Sequence, residues 1–190
     1  MVKNITIIIE VLLLRTFVAI NFPDDLKNSI RSIQNKLQPY VKTARWTRRE
    51  NLHLTLKFLG EIDDGEKESA VKAIQKACKG SQPFEMVLDK LGYFGSAENM
   101  RVMWMGTSHA DSLLSLQRSV EESFAEFGFL PDNKGFKPHI TIGRNVMIDQ
   151  NIDLSSIMKP DKLYVDNVYL MLSENKGKGY FYTPIYKIDL

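Results

Sequence analysis

Two of the chain's three histidines stand in the same four-residue pattern. The first copy is His53-Leu54-Thr55-Leu56 and the second is His139-Ile140-Thr141-Ile142. In a β-strand, residues i and i+2 point to one face and their neighbours point to the other. Each copy therefore predicts a strand that presents one imidazole and one hydroxyl on one face and buries two apolar side chains on the other.

Paired imidazoles and hydroxyls of this kind suit the opening of a cyclic phosphate ester. One histidine can take a proton from water while the other gives a proton to the departing oxygen, because an imidazole pKa of about 6.5 allows one neutral and one charged ring near neutral pH. Threonine hydroxyls are neutral donors to phosphate oxygens. We therefore predict His53 and His139 as the catalytic acid–base pair, with Thr55 and Thr141 binding the phosphate. This chemistry requires neither a metal nor a cofactor.

Other interpretations of the histidines stay open at this point. A single histidine in a half-buried strand is more often structural, but the duplication favours a functional role. Two histidines can also hold a metal ion, yet neither motif has a nearby carboxylate or cysteine at a spacing that proposes a third ligand. His109, the third histidine, has no threonine two residues later and is predicted to lie at the exposed start of a helix.

The segments around the motifs predict an α+β domain. Apolar residues at helical spacing indicate amphipathic helices over residues 23–37, 64–80 and 110–127. Runs of β-branched and aromatic residues indicate strands over residues 16–20, 52–59, 84–88, 101–105, 139–142, 163–172 and 180–188. The turn residues of Ser173–Gly179 predict that the last two strands form a hairpin.

The bulk composition fits one globular domain of 190 residues. The formal charge of +2 disfavours a protein that coats nucleic acid through a dense basic surface. The apolar N-terminal run is interrupted by Glu10 and is shorter than the roughly 20 residues that span a bilayer, so no membrane association is predicted. The single cysteine, Cys78, has no disulfide partner, which predicts a packing role and a reducing compartment, the cytoplasm.

Longer segments around both motifs resemble the 2H phosphoesterase superfamily, and more narrowly the RNA 2′,3′-cyclic phosphodiesterases, also called 2′-5′ RNA ligases or LigT-like proteins. The resemblance rests on residues 15–20, 45–46, 50–60, 101–104 and 136–144. It implies two lobes related by a pseudo-twofold axis, with antiparallel sheets lining a central cleft and helices on the outside. Residues 15–190 then form a single bilobal domain, and residues 1–14 are an N-terminal extension.

The same resemblance implies a hydrolase that acts on RNA with a 2′,3′-cyclic phosphate end, tRNA fragments among the candidates, and needs no obligate protein partner. The bond from phosphorus to O3′ breaks and a 2′-phosphate remains; some members also join RNA halves through a 2′-5′ bond. His53 is then the acid for the leaving oxygen and His139 the base for water, although reversing the reaction exchanges these roles. Two alternatives stay open: a non-catalytic nucleotide- or RNA-binding module, and a cyclic phosphodiesterase acting on a nucleotide or an ADP-ribose derivative.

Further residues near the motifs complete the predicted site. The resemblance gives Arg144 a role in holding the phosphate, although strict alternation from His139 sends its side chain to the opposite face. Gly143 can break that alternation as a bulge or a strand end. Phe136 is predicted to stack on the terminal base, and Trp46 is predicted to be a core residue. Basic residues predicted to attract the RNA backbone are Arg48, Arg49, Lys134 and Lys137.

Overall fold

The computed structural model describes residues 13–132, 134–148, 152–177 and 179–190. Over these residues the strands are β1 (Leu14–Asn21), β2 (Val41–Trp46), β3 (His53–Ile62), β4 (Phe84–Leu88), β5 (Lys90–Gly95), β6 (Met100–Gly106), β7 (Ile140–Ile148), β8 (Asp161–Val165), β9 (Asn167–Asn175) and β10 (Tyr180–Asp189). The helices are α1 (Asp24–Leu37), α2 (Asp64–Cys78), α3 (Asp111–Glu126) and α4 (Leu154–Ile157).

Two four-stranded antiparallel sheets organise the fold. One has the strand order β10-β9-β1-β3 and the other the order β2-β7-β6-β5, while β4 and β8 form a separate two-stranded ribbon. The first motif opens β3 and the second leads into β7, so each sheet carries one motif. Strands β3 and β7 contact each other, which joins the sheets where the motifs lie. The predicted α+β fold with antiparallel sheets is confirmed.

The apolar residues of both motifs fix the motif strands in register. Leu54, Leu56, Ile140 and Ile142 are all buried in one hydrophobic core, together with the apolar faces of α1, α2 and α3. Burying each such side chain contributes roughly 1.5–3 kcal/mol. A slip of one residue would expose these side chains and bury the histidines instead, so the alternation itself holds the histidines on the open face.

Local signals explain where the helices begin. Helix α1 follows Pro23 and carries two acidic residues in its first turn. Helix α2 begins with a capping box, in which the Glu66 backbone N–H donates to the Asp63 carboxylate (2.8 Å) and the Asp63 backbone N–H donates to the Glu66 carboxylate (2.9 Å). Helices α2 and α3 contact each other; α3 also contacts β3, and α2 contacts β9 and β10. The helices thus support the sheet that carries the first motif.

The structure differs from the sequence prediction in the C-terminal part. The single strand predicted over residues 163–172 is wrong, because β8 and β9 separate at Asp166 and join different sheets. The polar pair Asp166-Asn167 interrupts the apolar run at this point, and the prediction passed over it. The terminal hairpin is confirmed, since Tyr180 on β10 lies opposite Asn175 on β9. Strands β2 and β5 and the short helix α4 were not predicted.

The predicted N-terminal extension lies outside the described residues apart from Leu13 and Leu14, and Leu14 begins β1. Within the described ranges, the helices are too short or too polar to cross a bilayer. Cys78 is buried in the core, as its predicted packing role requires, and burial raises the pKa of its thiol to about 11. The thiol is therefore protonated and unreactive at neutral pH.

Candidate active site

A β-bulge follows the threonine in both motifs. On β3, Thr55 lies opposite Ala19 of β1, and the next pair is Lys57 with Val18. On β7, Thr141 lies opposite Trp104 of β6, and the next pair is Gly143 with Met103. Leu56 and Ile142 are therefore the extra residues, at the same position in each motif. A bulge bends its strand and redirects the side chains that follow it. The two halves share this irregularity as well as their sequence pattern.

Two hydrogen bonds determine which nitrogen of His53 faces the cleft. Nδ1 lies 2.7 Å from the carbonyl oxygen of Asn51, which can only accept, so Nδ1–H is the donor. Nε2 lies 3.0 Å from Oγ1 of Thr55 and accepts a hydrogen bond from that hydroxyl when the ring is neutral. The ring also packs against Phe17 and Tyr182, at centroid distances of 4.8 and 5.1 Å. Nε2 is therefore the atom available for proton transfer.

His139 repeats this arrangement in the second motif. Its Nδ1 lies 2.8 Å from the carbonyl oxygen of Lys137, again two residues earlier in the chain. The ring of Phe94 packs edge-on against the His139 ring, with 5.3 Å between their centroids. This contact corresponds to the aromatic contacts that surround His53. Both histidines thus direct Nδ1 to their own backbone and leave Nε2 for a ligand.

Burial lowers the pKa of His53 to about 4. The hydrogen bond to the Asn51 carbonyl opposes this effect, and positive charge on His139, Arg144 and Lys27 adds to it. The His53 ring is therefore neutral in the free protein at neutral pH. An anion bound near Nε2 would favour the charged ring, so anion binding is coupled to proton uptake at this histidine.

The fifth residue after each histidine also lines the cleft. These residues are Phe58 and Arg144, since 58 − 53 = 5 and 144 − 139 = 5. The bulge at Ile142 supplies the break in alternation that brings Arg144 to the face of Thr141. Phe58, whose side chain is 67% exposed, was missed from the sequence, although its shared offset from the histidine is visible there.

Both motifs line one cleft of about 840 Å³. The wall formed by β1, β3 and β10 is mainly aromatic, with Phe17, Phe58 and Tyr182, and it also carries Arg15. The opposite wall, formed by β2, β5, β6 and β7, is the cationic wall: it carries Arg45 and Arg144 beside the rings of Trp46 and Phe94. All four histidine and threonine side chains of the motifs border this space, which can hold a small anion with an attached planar ring.

Two buried or half-buried amides anchor the motif strands. The Gln34 amide of α1 donates to the carbonyls of Ile142 (2.8 Å) and Thr47 (2.9 Å), which ties the helix to β7 beside the second motif. The Asn51 amide donates to the carbonyl of Tyr180 (2.8 Å), which ties the first motif to the terminal hairpin. The signal for Gln34 was a polar residue within an apolar helical stripe, and it was not recognised.

The structure does not bring Phe136 to the cleft. Its side chain is half-buried and packs against the core, and the ring does not line the cavity that holds the histidines. Trp46 packs against the core as predicted but also lines the cleft, and its indole N–H donates to the Gln38 side chain (2.5 Å). His109 is exposed just before α3 and lies outside the cleft.

The basic residues predicted to border the cleft divide into two groups. Arg48 lines the cleft, and its guanidinium lies 4.9 Å from the centroid of the Phe181 ring. Arg49 pairs with Asp24 (2.9 Å) and does not line the cleft. Lys134 and Lys137 are exposed outside it. Among the described residues, no group of three His, Cys, Asp or Glu side chains is placed to hold a metal ion.

Comparison with known proteins connects this site to one family. The model of the LigT-like phosphoesterase family matches residues 20–104, which contain the first motif. The RNA 2′,3′-cyclic phosphodiesterase of Methanothermobacter thermautotrophicus is 31% identical over 130 residues, 68% of this chain and 70% of that protein. The protein of the same name from Thermus thermophilus is 30% identical over 185 residues, 93% of this chain and 90% of its own, a stretch long enough to include both motifs.

A solved structure supports the same relationship. The crystal structure of E. coli LigT complexed with 3′-AMP superposes with a TM-score of 0.75 at 26% sequence identity. The superposition covers 94% of this chain and 99% of that one. The similarity therefore extends over both four-stranded sheets.

Proposed function

Because the chain belongs to the LigT-like phosphoesterase family, a branch of the 2H phosphoesterases, we propose that it hydrolyses the terminal 2′,3′-cyclic phosphate of RNA to a 2′-phosphate. The observation that carries the proposal is the matched pair of histidines in one cleft. Each directs Nε2 away from a backbone carbonyl and stands beside a threonine hydroxyl. A site that only bound nucleotides would not require two proton-transfer groups in matching orientations.

The reaction divides between the two rings. His139 takes a proton from water as the water oxygen bonds to phosphorus, and His53 gives a proton to O3′ as the bond from phosphorus to O3′ breaks. The product carries a 2′-phosphate and a free 3′-hydroxyl. Burial leaves His53 neutral in the free protein, so the acid role requires that the ring take up a proton when the anionic phosphate binds.

The threonines and Arg144 would hold the phosphate through this reaction. In the free protein the Thr55 hydroxyl bonds to Nε2 of His53, so it must turn to a phosphate oxygen when the substrate binds. The charge that the phosphate brings then favours protonation of Nε2, which prepares the acid. Thr141 and Arg144 serve the remaining oxygens, and the planar guanidinium can donate to two of them at once.

The same displacement at phosphorus also accommodates ligation of two RNA molecules. If the 5′-hydroxyl of a second RNA replaces water, attack at phosphorus with loss of O3′ produces a 2′-5′ bond.

The proposed substrate is RNA with a cyclic phosphate end, and the proposed reaction requires no metal, no cofactor and no obligate protein partner. We propose the cytoplasm as the compartment, consistent with a single cysteine that is free and buried.

A short RNA that ends in a 2′,3′-cyclic phosphate tests this function. We expect multiple turnovers that yield a 2′-phosphate, identified by phosphorus NMR of the product, and an unchanged rate in the presence of a chelator. Absence of turnover with tight RNA binding would support the binding-module alternative. Activity that disappears with the chelator and returns only with divalent metal would support the metal alternative, and a 3′-phosphate product would exchange the roles of His53 and His139.

Phe58 offers the exposed ring on which the terminal base can stack, in place of Phe136. We expect Phe58→Ala to raise KM for the RNA about tenfold, because stacking on an aromatic side chain contributes roughly 1–3 kcal/mol per base. Steady-state kinetics checks this, with Tyr164→Ala as the control for an exposed aromatic residue outside the cleft. A larger loss in a stably folded Phe136→Leu variant than in Phe58→Ala would return the stacking role to Phe136.

A further inference from the structure

A second depression of about 560 Å³ opens from the cationic wall of the cleft. Its lining residues are Arg45, Phe94, Arg101, Val102, Arg144 and Asn145. Arg45, Phe94, Val102 and Arg144 also line the cleft that holds the histidines, so the two spaces are continuous. Arg101 and Asn145 belong to the depression alone. Neither has a role in the mechanism proposed for the histidines.

The depression concentrates positive charge without a compensating acid. Its three arginines come from β2, β6 and β7, and all three are exposed. Arg45 lies directly opposite Arg144 in the strand register, an arrangement of like charges that destabilises a sheet. None of the three forms an ion pair with a described residue. A bound anion would relieve this repulsion.

The backbone beside Arg144 is also unusual. Asn145 has a φ of 50°, the single non-glycine residue at positive φ among those described. The pairing of β7 is irregular on both sides of this point, with β6 before Arg144 and with β2 after it. Irregular pairing and left-handed backbone next to active sites commonly serve to direct side chains. Here they accompany the arginine that belongs to both spaces.

Arginine side chains can bind either phosphate or carboxylate groups. Phosphate is the favoured ligand here because the adjoining cleft is proposed to hold a nucleotide. A guanidinium binds phosphate oxygens through a planar fork, and several together suit a phosphate with more than one free oxygen. A nucleotide with a 2′,3′-cyclic phosphate at the histidines carries its next phosphate on the 5′ carbon of the same ribose. With the base on the aromatic wall at Phe58, the 5′ side of the ribose is left for the cationic wall.

Resting on the proposed function, we infer that the depression formed by Arg45, Arg101 and Arg144 binds the 5′-phosphate of the nucleotide whose cyclic phosphate is opened. In RNA this group is the last internucleotide phosphodiester. The subsite distinguishes the end of a polynucleotide, or a nucleotide with a 5′-phosphate, from a cyclic nucleoside phosphate without one. The enzyme thereby selects RNA ends by charge and not by base sequence.

Three substrates with one terminal base test the inference: uridine 2′,3′-cyclic phosphate, the same compound with a 5′-phosphate, and the dinucleotide UpU with a 2′,3′-cyclic end. We expect the 5′-phosphate to raise kcat/KM by about 10-fold or more, as for charge-assisted contacts to phosphate. The dinucleotide should show a comparable gain. In Arg101→Gln, and separately in Arg45→Gln, the ratio of kcat/KM with and without the 5′-phosphate should fall close to one.

Arg118→Gln is the matched control, because Arg118 is exposed on α3 and lines neither space. It should keep the full ratio. The inference is overturned if the 5′-phosphate gives no gain in the wild type, or if the gain survives in both arginine variants. Failure of all three substrates to react would instead contradict the proposed function.

The salt dependence supplies a readout that altered folding would not reproduce. Salt screens the attraction between an exposed arginine and a phosphate, so loss of one such contact makes binding less sensitive to the salt concentration. The KM of the dinucleotide should therefore depend less steeply on salt in Arg101→Gln than in the wild type, and the slope should be unchanged in Arg118→Gln. An unaltered slope in Arg101→Gln would contradict a direct contact with the phosphate.

Discussion

Replacing either His53 or His139 with alanine is expected to reduce kcat for an RNA with a cyclic phosphate end by at least about 100-fold, because each ring performs one proton transfer. Both rings present Nε2 to the same cleft, so neither can be spared. The double variant should lose little more than either single variant, since groups that act as a unit are not additive. Single-turnover rates measured at saturating enzyme check this.

His109→Ala is the control, since His109 is exposed and lies outside the cleft. It should retain the wild-type rate. The thermal stability of each variant separates loss of chemistry from loss of structure. Turnover near the wild-type level by a folded His53 or His139 variant would eliminate the two-histidine mechanism.

The pH profiles of kcat/KM and kcat are expected to differ, because the pKa of His53 changes when the substrate binds. In the free enzyme the pKa of His53 is about 4. Because the acid must be protonated, the limb of the kcat/KM profile on which activity falls as the pH rises through this pKa should lie in the acidic range. In the substrate complex the phosphate charge favours the imidazolium, so the corresponding limb of kcat should lie at higher pH. A coincident limb in both profiles would mean that the bound phosphate does not act on His53.

The sequence was sufficient to predict which face of each motif strand carries the histidine and the threonine, because two physical constraints coincide in the motifs. Alternation places His53 and Thr55 on one face, and the burial of Leu54 and Leu56 prevents the strand from slipping. The same constraints act on β7. The α+β class followed from the spacing of apolar residues, which depends only on local periodicity.

Features that depend on distant parts of the chain were not predictable in this way. Phe136 and Phe58 are both aromatic residues near a motif, but only the three-dimensional structure shows that one packs against the core and the other lines the cleft. Gln34 acts on Ile142, which lies 108 residues away in the chain. The polar pair Asp166-Asn167 marks the division between β8 and β9 in the sequence, but the change of pairing partner at that point depends on distant strands.

Arg144→Ala is expected to weaken transition-state stabilisation by about 3 kcal/mol, or about 100-fold in kcat/KM, the scale seen when one donor to a developing anion is removed. Its guanidinium borders both the cleft with the histidines and the arginine depression, without a carboxylate partner among the described residues. Arg144→Lys should recover only part of the loss, because an ammonium group cannot reproduce the planar fork. Arg118→Ala should have no effect.

Two further measurements distinguish this role from a general loss of positive charge. Since the charge of Arg144 lowers the pKa of His53, Arg144→Ala should move the His53 limb of kcat/KM to higher pH, whereas Arg144→Lys should leave it close to its wild-type position. The product should remain a 2′-phosphate in both variants, because the histidines determine which sugar oxygen leaves. Full activity in Arg144→Lys would mean that charge alone suffices, and that the bidentate contact inferred from the position of Arg144 in the cleft does not form.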